Sequence, residues 1–220
     1  MLELIQNNTK LIGCENDCQA LATKDRADLL VISDTHGGIQ NLCTIIKNAG
    51  PSCQALLFCG DGISDLFTLM HRTKSDMELS AAFPPVVACV KGNNDGDLIL
   101  LNESIVRIPK DLVFSAAGHR IFMTHGHDYR LYSGFVFLYD AAKAFKADLT
   151  FYGHTHLAAV TKKRKDLILN PGSASLPRGG QAPSFAIVHV DSKKRKSTYT
   201  FYRVGEDVVE LYDGARILKG

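Results

Sequence analysis

The sequence predicts an α/β fold, layered, with parallel strands at its centre and a second sheet that is mixed or antiparallel. Three observations predict it. Short continuous apolar runs recur through the first half of the chain. The segments between them carry apolar residues at helical spacing and stop at glycine or proline. The last third is mostly short strand-like stretches. Alternation of strand and helix marks a parallel sheet covered by helices.

Residues 1–27 are polar, rich in Asn and Cys, and carry no sustained period, so they are expected to form an N-terminal extension packed on a single domain over 28–220. Leu29-Leu30-Val31-Ile32 reads as a strand buried on both faces. After Gly37-Gly38, the apolar positions Ile39, Leu42, Ile45, Ile46 and Ala49 predict a helix that stops at Gly50-Pro51. Ala55–Phe58 is the next strand, followed by a helix around 63–74 and a third strand over Val86–Val90. Ser104–Ile108, Leu112–Ala117 and Arg120–Thr124 read as short strands, the last two joined by a tight turn at Gly118-His119. A helix is predicted over Tyr132–Phe145, with Phe135, Leu138, Tyr139, Ala142 and Phe145 on one face, and a strand over Leu149–Tyr152. Leu157–Thr161, Leu167–Asn170, Ser184–Val190 and Ser197–Val204 supply the second sheet, and the tail from Gly205 is compatible with a closing hairpin.

The chain has 220 residues, 45% apolar and 22% charged, enough to bury a substantial core. No stretch approaches the ~18 apolar residues of a membrane span, and no basic region precedes an apolar run at the N-terminus. A cytoplasmic protein is therefore expected. A net charge of +2 argues neither for nor against nucleic acid. The six cysteines are expected to be reduced thiols, and Cys14 and Cys18 lack the second Cys/His pair of a zinc knuckle. The eight histidines, by contrast, cluster.

The residues at the end of each apolar run are more informative. Ser33-Asp34-Thr35-His36 closes the first, Cys59-Gly60-Asp61-Gly62 the second, and Lys91-Gly92-Asn93-Asn94-Asp95 the third. Thr124-His125-Gly126-His127 and Gly153-His154-Thr155-His156 end two later strands. Ligands of α/β sheets bind outside the carboxyl ends of the strands, so these loops could converge on one spot. Asp, Asn and His without cysteine suit divalent ions such as Mn²⁺, Fe²⁺, Zn²⁺ or Mg²⁺ rather than a thiolate zinc site. Too many candidates occur for one ion, whereas seven ligands suit two ions sharing a carboxylate. Singly, each piece is weak: Asp34 could cap a helix, and Gly60-Asp61 or Gly92–Asp95 could be a plain turn. The ordered set is what carries the reading.

In that order, Asp-x-His, Gly-Asp, Gly-Asn-x-Asp, His and Gly-His-x-His, the residues from 34 to 156 resemble the calcineurin-like metallophosphoesterase superfamily. They look most like its small bacterial and archaeal phosphodiesterase branch, as do Asn170-Pro171-Gly172-Ser173 and Pro177-Arg178-Gly179-Gly180. The resemblance covers about 28–204. It implies a layered sandwich of two mixed β-sheets flanked by helices, and a hydrolase that cleaves phosphate esters, most of all phosphodiesters. It implies two divalent ions, Mn²⁺ first, with Fe²⁺, Zn²⁺, Ni²⁺ or Mg²⁺ as alternatives. Asp34, His36, Asp61 and His156 would hold one ion, and Asp61 would bridge to a second held by Asn93, His125 and His154. A hydroxide activated by both ions would be the nucleophile.

Asp95 is expected to orient neighbouring ligands, and His127 to be either a proton donor or a hydrogen-bonded loop histidine. Asn94 stands where many relatives carry a histidine that protonates the leaving group, and an amide is no general acid. It and Arg178 are the candidate substrate-binding residues, although Arg178 could equally pin a loop through a salt bridge. His71, His119 and His189 are read as structural. The basic runs Lys162–Lys165 and Lys193–Lys196 are expected to be solvated turns, and would favour a nucleic-acid substrate only if both face the same way. The alternatives to a small-substrate esterase are such a nuclease, or a non-catalytic protein-binding scaffold like the retromer subunit of the same fold. Filled ligand positions favour the enzyme. A homo-oligomer is compatible with the chain.

Overall fold

In the computed structural model, which describes residues 3–163 and 166–218, a two-residue strand, β1 (Ile12–Gly13), and a helix, α1 (Glu15–Thr23), come first. The first apolar run forms β2 (Arg26–Ile32), followed by α2 (Ile39–Ala49), β3 (Ala55–Phe58), α3 (Ile63–Arg72), α4 (Met77–Ala82) and β4 (Val86–Cys89). β2, β3 and β4 lie side by side and parallel. Every residue of β3 and β4 is buried, as strands without polar alternation require. A separate hairpin comes next, β5 (Leu98–Leu101) with β6 (Ser104–Arg107), then β7 (Asp111–Ala116), β8 (His119–Thr124), α5 (Val136–Ala144) and β9 (Leu149–Phe151). The chain ends with β10 (Ala158–Lys163), β11 (Asp166–Pro171), β12 (Ser184–Asp191), β13 (Lys196–Val204), β14 (Val209–Leu211) and β15 (Arg216–Leu218).

One sheet has the order β1-β4-β3-β2-β12-β13-β14 and the other β15-β10-β11-β9-β8-β7. Both are mixed: β12 runs antiparallel to β2, while β8, β9 and β11 form a parallel core with antiparallel neighbours β7 and β10. Because side chains alternate across a strand, the inner strands of the first sheet serve two cores. Leu29, Val31, Leu57 and Ala88 meet Ile121, Met123, Phe151 and Leu169 of the facing sheet. Leu30, Ile32, Leu56 and Phe58 point the other way, onto Leu42 and Ile45 of α2 and Leu66 and Met70 of α3. On the far side, Phe122 and Ile168 pack under Leu138 and Ala142 of α5. The result is the layered sandwich of two mixed sheets flanked by helices.

Several elements differ from the sequence reading. β12 and β13 join the first sheet beside β2, not the second. β12 is apolar on both faces, with Phe185 and Ile187 toward the helices and Ala186 and Val188 toward the other sheet, so its pattern fits an interior position in either sheet. The tail is no hairpin: β14 pairs antiparallel with β13 and β15 parallel with β10, so it touches both sheets. The helix expected from Tyr132 begins at Val136, because Gly134 at φ 111° ends a separate 3₁₀ turn over Leu131–Ser133. α4, β5 and the elements before β2 went unforeseen.

Within the first 27 residues, β1 extends the first sheet along β4, and Leu11, Cys18 and Leu21 enter the core between the sheets. Leu21 is fully buried there. Leu21→Ala is expected to lower the unfolding free energy by about 2–5 kcal/mol, measured by urea denaturation. A change within about 0.5 kcal/mol, the size of an ordinary surface substitution, would show that α1 contributes nothing to the core.

Candidate metal centre

Strand register sets the height of the loops. Ile32 lies opposite Phe58 and Phe58 opposite Cys89, so the three parallel strands of the first sheet end level. In the second sheet Met123 lies opposite Phe151, and Phe151 opposite Leu169. The loops that leave these ends are stitched to one another. Asp34 N donates to the Gly60 carbonyl (2.9 Å), His36 N to Asp61 (3.1 Å) and Gly153 N to His125 (3.0 Å). Between the sheets, His154 N donates to Asp34 Oδ2 at 3.1 Å.

Five of the predicted ligands hold left-handed backbone: Asp34 (φ 56°), His36 (43°), Asp61 (54°), His154 (66°) and His156 (58°). That region disfavours any residue with a Cβ and costs about 1–3 kcal/mol at each non-glycine. Glycine would relieve the strain, so what remains there does so for its side chain. Glycines stand instead where backbone must pass close by. A Cβ on Gly92 would collide with Asp61 Oδ1, and one on Gly153 with Ser33 Oγ and Asp34 Oδ2.

The side chains so presented form two overlapping groups, Asp34 with His36 and His156, and Asp34 with Asp61 and His125. Asp34 Oδ1 lies 3.2 Å from His156 Nε2, 3.8 Å from His36 Nε2 and 4.0 Å from His125 Nε2. Asp61 Oδ2 lies 3.4 Å from His125 Nε2 and 3.6 Å from His36 Nε2. The shared member of the two groups is thus Asp34, while Asp61, the expected bridge, also reaches a histidine of each.

Two tautomers are fixed by hydrogen bonds that only an N–H can make. His125 Nδ1 donates to the Cys59 carbonyl at 2.7 Å, and His156 Nδ1 to the Leu176 carbonyl at 2.6 Å. In the neutral rings both Nε2 atoms then carry lone pairs aimed at the carboxylates. Asp34 Oδ1 and His125 Nε2 are buried and have no hydrogen-bond partner among the described residues. Acceptors facing acceptors in a buried site call for a cation or a proton between them. The donor set fits a divalent ion of borderline hardness.

Electrostatics point the same way. Burial alone would raise the Asp34 carboxyl, but His156, His36 and His125 hold it below its ordinary range. Asp61 is held well below that range too, where His125 and Asn94 outweigh burial. The neighbouring Asp34 carboxylate raises the His36 pKa, and Asp61 and Asp34 raise that of His125 against the effect of burial.

The remaining predicted residues divide. The His154 ring is not in either group; it packs edge-on against His125 at 5.2 Å. Asn93 is exposed, and its side chain makes no hydrogen bond among the described residues. Asn94 is tied to Asp61, its Nδ2 donating to Asp61 Oδ2 (2.6 Å) and its N to Asp61 Oδ1 (2.9 Å). Asp95 faces backbone instead of the cluster. Its carboxylate accepts from Asp61 N (2.7 Å), Gly62 N (3.0 Å), Ile63 N (3.0 Å) and Gly92 N (2.9 Å), capping α3 and fixing two ligand loops at once. His127 lies 5.5 Å from the His125 ring, with burial keeping its pKa below the usual value. Arg178 donates from Nη1 to the Tyr132 hydroxyl at 2.9 Å.

Other supporting residues escaped the sequence reading. Asp65 accepts from Thr35 Oγ1 (2.5 Å) and Gly37 N (2.8 Å), holding the loop that carries His36. Ser173 donates to the Asp34 carbonyl (2.6 Å), and Asn170 Nδ2 to the Gly153 carbonyl (2.7 Å). The Asn-Pro-Gly-Ser motif was the available signal for these two. Outside the site, His119 pairs with Asp148 and His189 with Asp28, and His71 accepts from Asn102 N. Lys193 of the second basic run pairs with Asp25 at 2.5 Å, and residues 164 and 165 of the first lie outside the described residues.

An α/β sandwich with Asp and His gathered above level strand ends is a metallophosphoesterase-type fold with candidate metal-ligand groups. The chain belongs to the calcineurin-like phosphoesterase superfamily, whose domain matches residues 28–193. It is 29% identical over 187 residues to the probable metallophosphoesterase YsnB of Bacillus subtilis, covering 84% of this chain and 96% of that one. It is 32% identical over 177 residues to the phosphodiesterase YfcE of Escherichia coli, covering 74% of this chain and 88% of the relative. Among solved structures, vacuolar protein sorting 29 of Cryptosporidium parvum shares the fold at a TM-score of 0.66 and 18% identity, over 86% of this chain and 97% of that one.

Replacing Asp95 tests how the site is supported. Asp95→Ala is expected to lower stability by about 2–3 kcal/mol, since hydrogen bonds to a charged group contribute about 1.5–3 kcal/mol, and to weaken divalent-ion binding in the protein that remains folded. Denaturant unfolding and calorimetric Mn²⁺ titration check both. Unchanged stability would contradict the cap, and unchanged ion affinity its control over Asp61.

Proposed function

We propose that this chain is a metal-dependent phosphodiesterase acting through two divalent ions. The observation that carries the reading is the buried set of unpartnered acceptors, Asp34 Oδ1 and His125 Nε2, facing one another with the lone pair of His156 beside them. Asp34, His36 and His156 would hold one ion and Asp61 and His125 the other, with Asn93 and His154 as further ligands of the second. Bound there, such ions would supply an activated water and neutralise charge on the phosphoryl oxygens. The names of relatives such as YfcE and the phosphodiesterase MJ0936 of Methanocaldococcus jannaschii support the diester as substrate.

The chain's own residues supply positioning more than proton transfer. Asn94 carries an amide, which is no general acid, and burial lowers the pKa of His127 and so disfavours its protonated form. Esters with good leaving groups are the expected substrates. A nucleic-acid substrate has less support, since the second basic run is partly neutralised by Asp25. A cavity of about 630 Å³ lined by Val160, Tyr199, Phe201, Tyr212 and Ile217 contains none of the loop residues and is no rival site. No helix among the described residues is long and apolar enough to cross a membrane.

With metal-stripped protein, Mn²⁺ is expected to restore hydrolysis of a chromogenic phosphodiester in preference to the matching monoester. Asp61→Ala should lose more than about 100-fold of that activity, exceeding the 10–100-fold typical of residues that only support a ligand. No turnover by folded protein with any divalent ion would overturn the enzyme in favour of a binding role.

Protons compete with the ions for His36 and His125, whose pKa values the carboxylates raise. Mn²⁺ affinity is therefore expected to rise between pH 6 and pH 8, by roughly tenfold per pH unit for each proton displaced. Calorimetry in buffers of different ionisation enthalpy reads that proton release directly. A pH-independent affinity would remove the histidines from the ligand set.

A further inference from the structure

We propose that Tyr132 and Arg178 form a platform at the mouth of the metal centre that receives the planar base of a nucleotide-type phosphoester. The inference rests on the phosphoesterase reading and names the substrate class it would serve.

Tyr132 is 69% exposed, yet it belongs to the site. Its ring lies 5.6 Å from that of His154, which in turn lies 5.2 Å from that of His125. A file of rings thus leads from the buried cluster to the surface and ends on an open aromatic. The Tyr132 hydroxyl accepts from Arg178 Nη1 at 2.9 Å, and Arg178 N donates to the His156 carbonyl at 3.0 Å. The Tyr132 ring is therefore in contact with one residue of the candidate centre, and the backbone of Arg178, whose guanidinium holds the phenol, is tied to another.

The turn that presents Tyr132 is built to hold it out. Leu131, next to it, is buried, with its side chain packed onto Gly126, where a Cβ would collide with Leu131 Cδ1. Ser133 N donates to the Arg130 carbonyl (2.8 Å) and Gly134 N to that of Leu131 (3.2 Å), closing the 3₁₀ turn between residues of positive φ on either side. An anchored turn carrying an exposed aromatic loses little further freedom when a ligand covers the ring. Flat π surface beside a guanidinium suits a nucleobase, because every base has a π-face and arginine adds a cation–π contribution. An alkyl ester would gain little from either group. The phosphate would lie toward the acceptor cluster and its ions, and the base over Tyr132.

The test compares AMP with ribose 5-phosphate, which carries the same phosphate without the base, by calorimetric binding to Mn²⁺-loaded protein. The wild type is expected to bind AMP on the order of tenfold more tightly than ribose 5-phosphate. Tyr132→Ala should abolish that preference and leave ribose 5-phosphate affinity and Mn²⁺ stoichiometry unchanged. Tyr132→Phe should keep most of it, since the ring is retained. Equal binding of the two ligands by the wild type, or a preference untouched by Tyr132→Ala, would overturn the platform and leave the phosphoesterase intact. Binding of neither ligand, with Mn²⁺ present, would overturn the platform alone, because both are monoesters and the phosphodiesterase is decided by hydrolysis of the chromogenic diester.

Discussion

The candidate centre depends on one constraint, the common height at which parallel strands end. With Ile32, Phe58 and Cys89 in register, the loops bearing Asp34, Asp61 and Asn93 leave the first sheet together. Met123 and Phe151 do the same for His125, His154 and His156 in the second. A slip of one residue would reverse every side chain of that strand between the inter-sheet core and the helix layer, so burial on both faces locks the register. The precision of the site is thus borrowed from the packing of Leu29–Ile32, Ala55–Phe58 and Val86–Cys89, none of which carries a candidate ligand.

Local strain is the counterpart of that rigidity. Five ligand candidates sit in left-handed backbone, a state the surrounding hydrogen bonds hold in place. Asp95, Asp65 and Ser173 each bind backbone groups of a ligand loop, and Gly92 and Gly153 let the loops approach without a Cβ between them. The carboxylates and histidines then face one another at distances of 3.2–4.0 Å. Bound cations would convert that mutual exposure of lone pairs into favourable contact, so ion binding and folding of the loops are expected to be linked.

Much of this was legible from residues alone. Continuous apolar runs marked β2, β3 and β4, and the chemistry at their ends marked the loops. The allocation of β12 was not legible, because Ser184–Val190 is apolar on both faces and periodicity does not name a neighbour. β1 and α1 escaped because a two-residue strand and a helix with only Cys18 and Leu21 buried leave no sustained period. At the site, residue type located the cluster, but the roles of Asp95 and Asn94 turned on orientation. Asp95, expected to orient neighbouring ligands, binds the backbone of Asp61 while also capping α3, and Asn94 spends its amide on Asp61. Tyr132 carried no motif, and its relevance lies in a contact to Arg178, 46 residues away.

The most direct measurement is an anomalous-diffraction map from crystals of the protein equilibrated with Mn²⁺. Two peaks about 3.5–4 Å apart are expected, one against Asp34, His36 and His156 and the other against Asp61 and His125. A single peak, or peaks away from these side chains, would contradict the paired-ion centre on which the proposed chemistry rests.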